Sequence, residues 1–466
     1  MKYRGCQFAV CALLVSACGD DGPGQLPDAG EPDLSTRGTC VEVPGSGTMH
    51  AGSIVQAETW TAAGSPHRVT ADLTVLATVT LEPCALVLLG SGVRVTIGSS
   101  TEVGSIIGRG TRSGTTDLRP VTFDAIDRAA RWAQISVEPK GTLELEHAAI
   151  QYGGQPITGE SGAIVVRGVA NGTTAGPITR STKLVDVRIE RSGSYGLNLE
   201  AWGALDATSS NIVVLDSGGA QAPYAVRAEP GVVGTLPPVL LMEGNMKDEI
   251  EIRTIKTFMR DDTFHSHTGP YHVIGPIYVN ADADGAPVKL TIDAGVTLAF
   301  EEQVGSGIYV GSSMTRQGIL EAIGTPAAPI VFTSAKVAKA AGDWRHLFFR
   351  ASPASGNRIS NARIEYAGAD STSTSFGCGP ADNDGAVLIQ GSGGAQMPPA
   401  SAFIDQTTFD NIAGTTVIVS GWIDDAGPNF SATNTFGAAT PGCKVSKPRR
   451  TGGGDVCDGG RTTCWP

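Results

Sequence analysis

The feature that most constrains this chain is that it is written twice. Thr59-Trp60 is echoed by Thr263-Phe264, residues 66–69 (PHRV) by 270–273 (PYHV), and 79–83 (VTLEP) by 290–294 (LTIDA). Residues 120–123 (PVTF) return as 329–332 (PIVF), Trp132 as Trp344, 149–153 (AIQYG) as 363–367 (RIEYA), and 161–165 (SGAIV) as 384–388 (DGAVL). The order never changes, and the offset drifts from 204 to 223 as small loop insertions would make it. Self-similarity held over such a span marks an internal duplication, with halves at 40–245 and 246–440.

Within each half the pattern is short strands. Residues 142–146 (TLELE) and 93–97 (VRVTI) alternate apolar and polar with period two, which places one side of each strand in a core. Glycine, with Asn, Asp and Pro, separates them, and no window sustains a 3.6-residue apolar period. Charged residues are only 17% of the chain and 61 of its 466 residues are glycine, a bias toward strands and turns. Strands this short must stack on neighbours to bury a face, as coils do in a parallel β-helix. A propeller would repeat every 40–50 residues, whereas the clear period here is about 200. The expectation is an all-β chain, a right-handed parallel β-helix solenoid, internally duplicated.

Residues 262–264 (DTF), 269–271 (GPY), 290–296 (LTIDAGV), 324–334 (GTPAAPIVFTS), 342–344 (GDW) and 361–368 (NARIEYAG) carry a resemblance. They look like the coils of bacterial right-handed β-helix surface proteins of the pectin-lyase-like superfamily. The first half matches more loosely, with Cys84 where the second has Gly295, and Arg131 where it has Asp343. These are coil-forming positions, specific for fold and poor for function. Superfamily members that cleave acidic glycans use clustered aspartates, with calcium and a basic residue or as an acid and base pair. Asp261-Asp262 falls in the coil-opening motif, where Asp262 reads as a turn residue, and Asp424-Asp425 precedes the turn signal Gly427-Pro428. Arg345-His346 faces Ala133-Gln134 in the duplicate, and the seven histidines show no metal spacing. No catalytic set emerges.

The amino terminus points to export. Lys2 and Arg4 precede an apolar run at 8–15 (FAVCALLV), too short to span a bilayer and typical of a signal peptide, here 1–17. Val15-Ser-Ala-Cys18 resembles the bacterial lipobox, which implies lipidation of Cys18. Two or three acyl chains hold a soluble domain firmly to a membrane. Residues 18–39 then carry prolines, five acids and little that is apolar, the composition of an extended tether. Gly19 in place of an aspartate favours the outer membrane, facing periplasm or exterior. The formal charge of −12 argues against nucleic acid as a partner.

Six cysteines remain beyond Cys18, namely Cys40, Cys84, Cys378, Cys443, Cys457 and Cys464, an even number that suits disulfides in an exported protein. Cys457 and Cys464, close together in a tail at 441–466, are the simplest pair to close. Asn280, Asp282 and Asp284 before Gly285 space oxygen ligands as a calcium loop does, without its closing glutamate, since Thr291 stands at position twelve. Residues 382–385 (DNDG) are a shorter relative. Calcium is the one candidate cofactor, and none is required. Trp60, Trp132 and Trp344 recur and are expected in the core. Trp202 and Trp422 are freer, although their related contexts (LEAWG and VSGWI) also fit coil-forming positions, and Trp465 is unaccounted for. The functional expectation is a lipid-anchored surface module binding glycan or protein without catalysis, the alternative being a polysaccharide lyase or glycoside hydrolase.

Overall fold

The computed structural model describes residues 39–41, 45–114, 117–156, 161–169, 178–253, 260–281, 284–302, 305–350, 355–372, 383–391, 397–422, 427–446 and 464. Cys18, Cys378, Cys457, Asp282, Asp382, Asp424, Asp425 and Trp465 lie outside them. Both copies of the duplication fall within one compact unit, Leu34–Pro466.

The fold is a parallel β-helix. Among the described residues the paired strands are parallel with one exception, the hairpin of Thr111–Ser113 with Asp117–Arg119. The coils of the first copy build three stacks. His67–Val75 serves two of them, pairing through Val69 with Leu89 and through Leu73 with Val95. The third contains Thr78–Leu81, paired with Gly104–Arg109.

Alternation decides which side chains turn inward. One ladder runs Leu73, Val95, Ile135, Ile164, Leu197, Val226, Ile250, Tyr271, Leu298, Phe332, Ile364, Phe409 and Phe436, each the direct partner of the next. All but Phe436 are buried in one continuous core, against whose end Phe436 packs. At about 1.5–3 kcal/mol for each large apolar side chain removed from water, this ladder is a principal source of stability.

The two copies repeat contacts as well as letters. The Trp132 indole donates to the Gln151 carbonyl at 2.8 Å, and Trp344 donates to the Glu365 carbonyl, the matching position, at 2.7 Å. Trp60 stacks on His67 with ring centroids 5.2 Å apart, and their counterparts Phe264 and Tyr271 stack at 4.9 Å. Trp202 and Trp422 are as buried as the three recurrent tryptophans, as coil-forming positions would be.

Corners are built from single left-handed residues. Gln151, Glu190 and Leu215 are successive partners, and the residues after them, Tyr152, Arg191 and Asp216, have φ of 56°, 56° and 48°. An L-residue there costs roughly 1–2 kcal/mol, which the ladders on either side offset. Where Gly295 turns at φ 84°, the first copy has Cys84 at φ 68°, bonded to Cys40.

The second disulfide corrects the sequence reading. Cys464 bonds Cys443, not its neighbour Cys457. Cys443 lies in the closing strand Cys443–Val445, and Ser446, the residue after that strand, forms an antiparallel bridge with Cys464. Sheet pairing chose the partner, which sequence proximity did not. Asp262 is likewise no turn residue: it opens the strand Asp262–Phe264.

At the seam between the copies the stacks do not simply continue. Lys247–Arg253 pairs with Tyr224–Ala228 below and with Tyr271–Ile274 above. Tyr271–Ile274 is the counterpart of residues 67–70, which belong to a different stack of the first copy. Pro276–Val279 begins a separate six-stranded sheet, and Asp262–Phe264 a separate five-stranded one. Among the described residues one hydrogen-bonded ladder therefore crosses the seam.

Candidate functional site

Among the described residues two clefts occupy equivalent places in the two copies. The first, about 770 Å³, has a floor of Leu86, Leu88, Thr122 and Asp124, side chains that point outward from adjacent strands. Ser65 and Pro66 form one wall and the Cys40–Cys84 disulfide lies at the rim. The second, about 320 Å³, is lined by Gly269, Pro270, Gly295 and Thr297, the counterparts of Ser65, Pro66, Cys84 and Leu86, together with His267. The first cleft is the larger and more apolar because its copy carries Leu where the other has Thr297 and Ala299.

Polar chemistry gathers at one end of the large cleft. The Asp124 carboxylate accepts from Arg128 Nη2 at 2.7 Å and from the Ala125 amide at 2.8 Å. That pairing raises the Arg128 pKa, the hydrogen bond outweighing the cost of burial. The Arg128 guanidinium sits 5.2 Å from the centre of the Tyr152 ring, and Arg191 lies 5.4 Å from it while donating to the Tyr152 hydroxyl at 2.7 Å. In the second copy Lys339 stands 5.7 Å from the equivalent Tyr366. Cations over rings contribute roughly 0.5–1 kcal/mol at exposed sites.

A second constellation, missed in the sequence, lies on the outer side of the ladder near the seam. Asn198, Arg227, Glu251 and His272 are successive partners, all buried. Glu200 accepts from Asn198 Nδ2 at 2.7 Å and Arg227 Nη1 at 2.9 Å. Glu251 accepts from the Tyr195 hydroxyl at 2.9 Å and pairs with Arg253 Nε at 3.0 Å. Burial, then the Glu251 charge, raises the Tyr195 pKa. His272 Nδ1 meets Glu249 at 2.9 Å. The alternation in 247–253 (KDEIEIR) was the available signal: its isoleucines point in, and charged partners must therefore stack outside.

Chemically these carboxylates are committed. Glycosidic cleavage by acid and base needs one carboxyl that keeps a proton and a partner that takes one, both facing the same substrate. Asp124, Glu200 and Glu251 instead neutralise arginines, an arrangement that fixes charge and geometry.

The proposed calcium ligands are only partly described. Asn280 donates to the Ala281 carbonyl at 3.2 Å, and exposed Asp284 lies 3.5 Å from Arg316 Nε. Among the described residues no three His, Cys, Asp or Glu side chains are arranged to hold a metal. Asp384 accepts from the Ser371 amide at 2.7 Å. His346, like its counterpart Gln134, is buried with neither polar side-chain atom hydrogen-bonded. Among the described residues no helix is long and apolar enough to cross a membrane.

Residues 257–390, under a third of the chain, match the family described as the pectate-lyase like beta helix domain. No curated protein and no solved structure matches the chain at a significant level.

Proposed function

We propose that this parallel β-helix is the body of a lipid-anchored cell-envelope protein, held by Cys18 at the outer membrane, that binds a glycan or protein partner without catalysing its turnover. The observation that carries the reading is the large cleft: an apolar floor of Leu86 and Leu88 ending at an Asp124–Arg128 pair whose carboxylate is already neutralised. A pocket of mainly apolar lining with few fixed polar groups is the ordinary form of a binding site. Two disulfides fit an oxidising compartment outside the cytoplasm. The VSAC sequence ending at Cys18, followed by a polar tether that reaches the body near Cys40, supports the anchor.

The test has two arms. Cys18→Ala should leave the protein uncut or soluble, and membrane partitioning of that variant in mature form would end the anchor claim. The purified body should be screened against immobilised cell-envelope glycans and envelope proteins, with Leu88→Asp as the cleft variant. Binding lost in Leu88→Asp, with no product released from pectate or alginate, is the expected result. Steady release of unsaturated or reducing sugar ends would establish a lyase or hydrolase instead.

A further inference from the structure

We propose that the seam between the copies is a built-in opening point, and that Asp262 is its latch. In the stack that contains Gly203–Leu205, a strand is missing at the seam. A single 3-10 turn, Val233–Thr235, stands between Gly203–Leu205 below and Asp262–Phe264 above.

A strand in that place would pair by backbone hydrogen bonds on both sides. The turn is held by side chains instead. Below, the Leu205 amide donates to Thr235 Oγ1 at 3.2 Å. Above, Asp262 collects three of its amides: Gly231 at 3.0 Å and Val233 at 3.1 Å on Oδ2, and Gly234 at 2.7 Å on Oδ1. Oδ1 also accepts from the Thr263 amide at 2.9 Å. One carboxylate of the second copy thus satisfies three amides of the first.

Its neighbours reinforce the crossing. Arg260 lies 4.6 Å from the Trp202 ring centre, and the Met242 amide donates to Thr268 Oγ1 at 3.3 Å. These contacts, too, are made by side chains. The pairing of Tyr224–Ala228 with Lys247–Arg253, in the ladder that runs on through Ile250 to Tyr271, is the only strand pairing among the described residues that joins the copies. Removing Asp262 should therefore open one side of the seam while that ladder stays closed, and the second copy should hinge about it.

The counterpart of Asp262 in the first copy is Glu58, which accepts from the Trp60 indole at 2.9 Å and latches no turn. The device belongs to the seam and is no general property of the coil.

Hydrogen exchange of the intact body, read peptide by peptide, tests this. In Asp262→Asn one of the two oxygens becomes an NH2 that cannot accept, so either the Gly231 and Val233 amides or those of Gly234 and Thr263 lose their partner. Exchange across residues 229–236 and 262–264 should accelerate at least tenfold, with Ile250, Tyr271 and the ladders on either side unchanged. Uniform acceleration over both copies, or none in 229–236, would overturn the proposal. The unsubstituted protein gives an independent reading: residues 231–235 should exchange faster than 203–205 and 288–292, strands of the same stack on either side. Equal protection in all three would overturn the proposal even if the variant fails to fold.

Discussion

Replacing His346 with Phe should remove a defined part of the body's acid sensitivity. The imidazole is 1% exposed, with neither nitrogen hydrogen-bonded. It sits edge-on to Phe348 at 5.6 Å and to Tyr309 at 5.3 Å. Burial, then the charges of Arg345 and Arg350, pushes its pKa down to about 3 from 6.5. A folded-state value below the unfolded one means that the unfolded chain binds the proton first. The stability from a neutral His346 is therefore complete above pH 6.5 and is lost progressively as pH falls from 6.5 toward 3. At pH 5 the loss is set by the unfolded pKa, 1.5 units above the solution, which at about 1.4 kcal/mol per unit is about 2 kcal/mol. Equilibrium urea unfolding at pH 7 and pH 5 reads it directly. His346→Phe should lose about 2 kcal/mol less than the parent between those conditions. For a body of about 430 residues, whose unfolding entropy is near 0.9 kcal/mol per kelvin, that is about 2 °C in Tm. Phe suits the aromatic setting, and His346→Gln, the residue of the first copy, should remove the same pH dependence at some cost in packing. Identical losses in parent and variants would refute the idea that His346 is buried and neutral.

Further expectations concern the cleft rim and the acidic loop. Cys40→Ser with Cys84→Ser should lower stability by about 4 kcal/mol, the entropy of closing a loop across a separation of 44 residues, and should weaken any ligand of the large cleft. Unchanged unfolding in the double variant would show that the rim is not held by that bond. Adding millimolar calcium should move Tm by less than about 1 °C, because the loop of Asn280, Asp282 and Asp284 lacks its closing glutamate. A larger rise that Asp282→Ala abolishes would establish the site.

Much of this protein was legible in the sequence because its core follows a local rule. Period-two alternation in 142–146 and 93–97 specifies which side chains face inward, whatever lies above or below, and recurrence of Trp132 as Trp344 marks the same indole-to-carbonyl bond twice. What sequence could not decide depends on which strand lies over which. Cys464 bonds Cys443, beside whose strand it bridges to Ser446, although Cys457 is nearer in the chain. Glu200, Arg227 and Glu251 are far apart in sequence, and only successive coils bring their charges into contact. The seam is the clearest case. The letters of the two copies run in the same order, yet residues 271–273 stack on Lys247–Arg253, in a ladder that their counterparts 67–69 do not join. Inward or outward is a property of neighbouring residues. Stack membership is set by coil lengths and by what the preceding coil leaves open, and that is settled only when the whole solenoid is wound.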